Sequence, residues 1–558
     1  MNSKVVNRRI RLLFVLLALA LAGSLARAVW LQGVRAQPLF RLAAKQQRQT
    51  VELPARRGTI FDRNGVQLAL GEQATTVYAD PTQVRNARLV ALAAEKTLGL
   101  DAETIFPQLQ DKSRAFVYLK RKADPVKAEL LRRRELPGVG FYAEERRSYP
   151  QGTIGAQVLG FAGQDNQGLA GIELELNDVL RGRPGRETVI RDPFGRVVDV
   201  LSETAERQGR DVFLTLDHRI QAKAEDVLRR TVRQWGAKSA TAVVLDPSSG
   251  EIYAMATAPT FDANRFAETS TDKQRNRTAS DTYEPGSTFK LIAIAGALSE
   301  GLVTPHSAFT LATSIRVADR VIHEHEPRPT VRMTVADIVS QSSNIGAITL
   351  AQLLGSERLA AWVDRFGFGK RTGLDFPGET SGLVLPLEKW SGSTIGNLPI
   401  GHGIAVTPVQ MAAAYAAVAN NGVWLQPHLV EHVAGRSAAT VARRRILTPA
   451  IASQLATMLT GVVAEGGTGL AAAVPGYHVA GKTGTAAKPL PDGSGYSISR
   501  YVASFVGFVP ATRPRLVILV TVDEPTTIWG GIVAAPAFQE LARFALQYLE
   551  VPPDNPED

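Results

Sequence analysis

Ser287 and Lys290 stand three residues apart in Ser287-Thr288-Phe289-Lys290, a hydroxyl and an amine at helical spacing. A serine hydroxyl is a poor nucleophile until a base takes its proton. Residues three apart on a helix share a face, so the lysine is within reach. A lysine acts as a base only when burial or positive charge lowers its pKa, and Phe289, Leu291, Ile292 and Ile294 surround this one with apolar groups. Two further motifs follow in order. Ser342-Ser343-Asn344 sits between Val335, Ile338, Val339 and the apolar residues 345–353, where a hydroxyl and an amide need polar partners. Lys482-Thr483-Gly484-Thr485 follows, with Thr483 and Thr485 on one face of an expected strand, an arrangement suited to gripping a carboxylate. Gly484 is expected to let a substrate backbone approach closely. Together the three motifs describe serine acyl transfer. Alone, each has a bland reading: helix start, helix cap, or turn before an edge strand.

An S-x-x-K match arises by chance about once in a chain of this length, and Ser270-Thr271-Asp272-Lys273 is a second one. That copy lies in a polar run with no apolar face to pack. Ser287 follows Pro285-Gly286 and opens an apolar helix ending before Gly301. The free N–H groups of that first turn could face an oxyanion.

The elements that position these motifs form a sheet interrupted by helices. Residues 212–216 open as a strand and 220–235 as an amphipathic helix. Residues 241–245 and 251–257 read as strands joined by the turn Asp246-Pro247-Ser248-Ser249-Gly250. Residues 290–470 read as mostly helix and loop. The sheet returns with the Lys482 strand, 502–509 and 515–523, and a last helix spans about 536–549. Sheet, helical insert and sheet again argue for one α+β domain over 211–550, with a tail at 551–558. Upstream, residues 82–135 read as largely helical, and Asn64-Gly65 as a hairpin turn.

The chain has 558 residues, too long for one core, and is 45% hydrophobic and 21% charged, as globular proteins are. With no cysteine it has no disulfide, thiol nucleophile or cysteine-bound metal. Lys4, Arg8, Arg9 and Arg11 form a basic tail (1–11) before an apolar stretch at 12–31, long enough as a helix of about 30 Å to cross a bilayer. The basic flank places the tail in the cytoplasm and everything after the helix outside. Ala26-Arg27-Ala28 also resembles a signal-peptide cleavage site, the competing reading. The net charge of +10 comes without an aromatic-interleaved basic stripe, so nucleic acid is not an expected partner. No Gly-rich phosphate loop is present, and no cofactor is expected.

With these residues in view, the chain resembles the class B penicillin-binding proteins, membrane-held peptidoglycan D,D-transpeptidases. The likeness includes Arg57-Gly58 with Asp62-Arg63-Asn64-Gly65, Arg147-Ser148-Tyr149-Pro150, Gly168-x-x-Gly171-x-Glu173, and residues 401–408. Residues 276–287 are closer to the cell-division branch, since elongation enzymes tend to carry proline where this chain has Glu284. The resemblance implies an N-terminal transmembrane helix, an elongated mixed α/β non-catalytic module (32–210), and a transpeptidase domain like the serine β-lactamases, an antiparallel sheet plus a helical lobe. It implies that Ser287 attacks the D-Ala–D-Ala carbonyl of a stem peptide while Lys290 takes its proton. Ser342 and Lys482 would relay the proton, Asn344 would hold the donor amide, and Thr483 and Thr485 the carboxylate. The N–H groups of Ser287 and Thr485 would form the oxyanion hole. Division of the proton among Lys290, Ser342 and Lys482 is left open. Implied partners are stem peptides and lipid-linked precursor products, β-lactams, an FtsW-type membrane glycan polymerase and other division proteins. The implied location is the cytoplasmic membrane, catalytic domain on the periplasmic or extracellular side.

The module carries no nucleophile–base pair. Arg57, Asp62, Arg63, Arg147 and Glu173, with Gly58 and Gly171, are expected to hold it together and lock it against the catalytic domain, so that Arg57→Glu spares acylation by folded protein. Glu173-Leu174-Glu175-Leu176-Asn177 matches the deacylating E-x-E-L-N of class A β-lactamases, but it precedes the nucleophile instead of lying between the second and third motifs. A D,D-carboxypeptidase, an elongation-type transpeptidase and a penicillin-sensing receptor are the alternatives. His323-Glu324-His325-Glu326 alternates like a metal site, but lacks a third placed ligand and precedes Pro327, so it reads as a polar loop with no metal.

Overall fold

Apolar runs from both ends of the expected domain meet in one sheet that is buried on both faces. In the computed structural model, β1 (Ser239–Leu245), β2 (Ile252–Ala258), β3 (Ala480–Pro489), β4 (Tyr496–Val509) and β5 (Leu516–Asp523) pair antiparallel in the order β2-β1-β5-β4-β3. The structure describes residues 3–34, 48–53, 55–191, 197–438, 440–490, 492 and 495–555; most of the polar stretch at 35–50 and the end of the tail lie outside them.

The period of two divides the sheet's side chains between two cores. Ala242, Val244, Ile518 and Val520 face helices α1 (His218–Gln234) and α5 (Gly530–Tyr548). Val243, Leu245, Val517 and Leu519 face the helical lobe. There α4 (Pro408–Ala419) is buried along its whole length, its alanines allowing it close to the sheet. Thr407 and Gln410 close a capping box at its start. Two more buried helices, α2 (Lys290–Ser299) and α3 (Asn344–Leu354), complete the frame of the site.

Four expectations change in detail. Residues 82–135 contain a strand, Val117–Ala123, between the helices Ala87–Leu98, Ala102–Gln110 and Pro125–Arg132. It turns Val117, Leu119 and Ala123 inward while pairing with Gln67–Ala79. The helical lobe carries short antiparallel pairs, including Ser314–Val317 with Arg320–His323. The strand expected over 212–216 spans only Val212–Leu214, Thr215 N–H bonding instead to Leu429 O. The last helix begins at Gly530, taking Pro536 inside it, and its first residue is a glycine where a Cβ would meet Ser504 O and Gly484 O at 2.3 and 2.4 Å.

The described residues form two compact units. One joins 1–56 to 182–209, and the other joins 57–181 to 210–558. The first contains the helix Ser3–Val29 and a three-stranded sheet of Arg48–Leu53, Gly185–Arg191 and Val197–Thr204. Residues 7–33 are long and apolar enough to cross a membrane, with a mean hydropathy of 2.3 in their most apolar window, and fit a single-pass anchor. In the second unit a sheet runs from Val430–Val433 through Val212–Leu214 and Ile60–Phe61 to Gln67–Ala79, which pairs with Val117–Ala123 and Val139–Ser148.

The charged motif residues of 57–181 converge. Glu173, fully buried, receives Arg57 Nε and Arg147 Nε, each at 2.6 Å. Arg57 also donates to Glu173 O (2.8 Å) and Asn177 Oδ1 (3.0 Å), and Arg147 donates to Gly58 O (2.8 Å). Gly171 takes φ +57°, and a Cβ there would lie 2.5 Å from Val158 O and Gly160 N. This cluster locks 57–181 internally. The contacts with the catalytic part come instead from Asp62, 2.6 Å from His218 Nδ1, and from Arg63, over the Tyr253 ring at 4.0 Å and 3.4 Å from Glu251.

Candidate active site

Pro285 and Gly286 turn the chain into a short 3-10 segment, Gly286–Phe289, that runs directly into α2. Gly286 has φ +56°, and a Cβ on it would meet Thr485 O at 2.7 Å. The Ser287 turn therefore lies against the Lys482 strand with no side chain between them. Thr288 Oγ1 donates to Pro285 O (2.8 Å), Tyr415 OH donates to Thr288 O (3.0 Å), and Phe289 packs edge-on to Phe368. These contacts hold Ser287 at the helix start, 5% exposed.

Lys290 is 1% exposed. Its Nζ donates to Ser342 O (2.5 Å), Ser342 Oγ (3.2 Å) and Asn344 Oδ1 (2.7 Å). Burial pushes its pKa down to about 7, against a smaller upward pull from Glu324. Among the described residues no hydrogen bond joins Nζ to Ser287 Oγ, so the first and second motifs meet at the lysine. Ser342 adopts φ +58°, a left-handed conformation that costs a non-glycine residue roughly 1–2 kcal/mol. The strain turns its carbonyl toward Lys290. Asn344 is committed at both ends, since Nδ2 donates to His323 O at 3.1 Å.

Lys482 lies on β3, an edge strand, and is 2% exposed. Burial, then the nearby charge of Lys290, holds its pKa well below the usual lysine value. Both lysines line one small apolar cavity with Leu291, Ile294 and Tyr415. In so dry a place the charge of Lys290 disfavours a second ammonium on Lys482. Thr483 Oγ1 shares a hydrogen bond with Thr468 Oγ1 (2.9 Å), and Thr485 Oγ1 accepts from Gly530 N (3.3 Å), which leaves its own hydrogen available. Gly484 serves packing, not a gap for substrate. A Cβ there would meet Ser504 Oγ at 2.3 Å and Pro285 O at 2.9 Å, so the glycine lets β3 close on the Ser287 turn.

Sequence reading missed Glu324. Within the supposed polar loop, its carboxylate accepts from Ser343 Oγ (2.5 Å), Asn344 N (2.6 Å) and Arg328 (2.5 Å). It anchors the start of α3 beneath the Ser-Ser-Asn turn, and the hydrogen bonds hold its own pKa down against burial. The signal was there in His-Glu alternation after Val321-Ile322, read as a metal decoy. Glu284 was noticed only as a marker of subtype. Its Oε1 accepts from Gly403 N and Tyr496 OH, both at 3.1 Å, its Oε2 is buried without a partner among the described residues, and burial pushes its pKa up to about 7. Beside it, His402 packs edge-on to Tyr496, and burial together with Lys290 pushes its pKa down to about 4. The rival Ser270 and Lys273 are exposed on one short turn.

Residues 240–543 match the penicillin binding protein transpeptidase domain, and residues 52–214 match the penicillin-binding protein dimerisation domain. The chain is 33% identical to the peptidoglycan D,D-transpeptidase FtsI of Escherichia coli K12 over 565 residues, covering 99% of this chain and 94% of that one. It is 34% identical to the probable peptidoglycan D,D-transpeptidase PenA of Neisseria meningitidis serogroup A over 557 residues, covering 98% and 94%. The crystal structure of penicillin binding protein 3 from Mycobacterium tuberculosis, complexed with aztreonam, superposes with a TM-score of 0.73 at 30% identity, covering 91% of this chain and 99% of that one. Both domains, their order and a full-length likeness thus agree with a cleft where the three motifs converge, and the chain belongs to the class B penicillin-binding proteins, as a serine-type peptidoglycan D,D-transpeptidase.

Proposed function

We propose that Ser287 is the acylated nucleophile and Lys290 its base, in septal wall synthesis during cell division. The observation that carries the site assignment is Lys290 itself: buried, three residues from Ser287, and poised near neutrality at about 7. Ser287 Oγ attacks the carbonyl between the two terminal D-Ala residues of a stem peptide as its proton passes to Lys290. The C–N bond breaks and D-Ala leaves with a proton delivered through Ser342 and Lys482. The amine of a second stem peptide then attacks the ester, forms the crosslink and restores Ser287. Thr483 and Thr485 face the donor's carboxylate, and the N–H groups of Ser287 and Thr485 receive the oxyanion. For Asn344 to hold the donor amide, it uses the second Nδ2 hydrogen or exchanges its contact with His323 O. The same cleft accepts β-lactams as acyl donors.

The division role rests on residues 276–287, where Glu284 stands in place of a second proline. Lys4, Arg8, Arg9 and Arg11 favour a cytoplasmic N-terminus, with 32–210 as a non-catalytic module and 211–550 as the catalytic domain outside. The resemblance to the cell-division branch supports an FtsW-type glycan polymerase in the membrane as the source of the strands. The test is mass spectrometry after labelled penicillin: the adduct maps to the peptide holding Ser287 and disappears in Ser287→Ala. An adduct on Ser270, or one surviving that substitution, overturns the assignment.

A further inference from the structure

On the helical lobe, sharing no residue with the cleft described above, lies an open pocket of about 320 Å³. It is formed where the helix Ser356–Phe366 ends beside the strands Val423–Leu425 and Arg443–Arg445. Four of its lining residues are cations, Arg365, Lys370, Arg371 and Arg444, and one is an acid, Asp364. Asp364 is taken by Lys370 at 2.5 Å. Among the described residues, no carboxylate lies within ion-pairing distance of Arg365, Arg371 or Arg444.

Arg444 is built into the wall. Its guanidinium lies over the Trp424 ring at 4.5 Å, Nη1 donates to Arg365 O, and a Cβ on Gly367 would meet Nη2 at 2.5 Å. Capping of the helix C-terminus accounts for Nη1. Arg365 sits in the last turn of that helix with its guanidinium over the Trp362 ring at 4.9 Å, so it too has a structural role. Neither contact accounts for Arg371 at the same concavity, nor for Trp424, whose indole N–H has no protein partner among the described residues. The unpaired groups are donors, and a pocket with surplus positive charge takes an acceptor-rich, negatively charged ligand.

We propose that this pocket is a binding site for an oxyanion, a carboxylate or phosphate group, gripped by Arg444 and Arg371 with Trp424 beside it. Two sources share that chemistry: the carboxylates of uncrosslinked wall peptides and free inorganic phosphate. Isothermal titration of the full chain in detergent separates them, using inorganic phosphate, pyrophosphate and a wall tripeptide lacking the terminal D-Ala–D-Ala. The tripeptide cannot acylate Ser287, so the readout is independent of catalysis. Saturable binding that weakens with salt is expected. Arg371→Gln, at an exposed position that spares the fold, weakens binding several-fold, and with Arg444→Gln the loss reaches about tenfold or more. Labelled-penicillin acylation stays within about twofold of the parent in both variants, since neither residue lines the cleft. Tighter binding of the tripeptide assigns the wall peptide as the source, and binding of phosphate or pyrophosphate alone assigns the inorganic anion. If none of the three probes saturates below about 10 mM, or if Arg371→Gln together with Arg444→Gln binds as the parent does, the site is not there.

Discussion

Lys290 owes its depressed pKa to burial between α2 and the Ser342–Asn344 turn. As pH rises through about 7 the ammonium loses its proton and gains the lone pair a base needs. The second-order rate of penicillin acylation should therefore climb through that range and level off above it. A rate falling from pH 6 to 8 would exclude Lys290 as the base. Replacing it with glutamine should cost about 10²–10⁴-fold in acylation. Glu324 sharpens the same test. Its carboxylate is the group that pulls the pKa of Lys290 upward. Glu324→Gln removes that charge while keeping an oxygen for Ser343 and Asn344, so the midpoint of the profile should move to lower pH. An upward shift would mean that Glu324 does not act on Lys290 in this way.

At the scale of elements, the candidate site exists because β3 and the Ser287 turn touch without side chains between them. Gly286 and Gly484 both lie on this seam. In Gly484→Ala the new methyl group meets Pro285 O and Ser504 Oγ, and pushing the strand back should cost about 1–3 kcal/mol. A thermal melt lowered by several degrees, with slower acylation in the fraction still folded, is the expected outcome. Unchanged melting and acylation would show that the seam is not tight. The module's buried charges follow the same logic. Among the described residues Glu173 is the one carboxylate paired with both Arg57 and Arg147, and all three side chains are buried, so Glu173→Ala leaves two buried cations and should cost about 3–5 kcal/mol.

For the molecule as a whole, that cluster changes what Arg57→Glu reports. The substitution places a second carboxylate against Glu173 in a fully buried site, and residues 57–181 belong to the same compact unit as the catalytic cleft. It should abolish the cooperative melt and take acylation with it, instead of sparing acylation as the motif alone suggests. Normal acylation by a protein carrying Arg57→Glu would show that the two parts fold independently. The anchor has its own test, N-terminal sequencing of the mature protein. An intact start is expected, and a new terminus at Val29 would mean cleavage after Ala26-Arg27-Ala28.

The ordered trio around Ser287, Ser342 and Lys482, the apolar stretch at 12–31 and the short apolar strand runs of β1, β2, β4 and β5 were legible in the chain, because each is a pattern of residue types at short spacing. So was Asn64-Gly65, whose turn needs a glycine at φ +77°. What tertiary structure decided were relations between residues far apart in sequence. Lys290 takes its partners 52 and 54 residues away, not three. Glu324 became the anchor of the Ser-Ser-Asn turn only when the strand Arg320–His323 brought it there. The strand at Val117–Ala123 depends on its pairing with Gln67–Ala79, and Gly484 on what lies behind it. Local spacing encodes periodicity and reactive groups, whereas burial, strain and the identity of a hydrogen-bond partner are set by which surfaces meet when the chain packs.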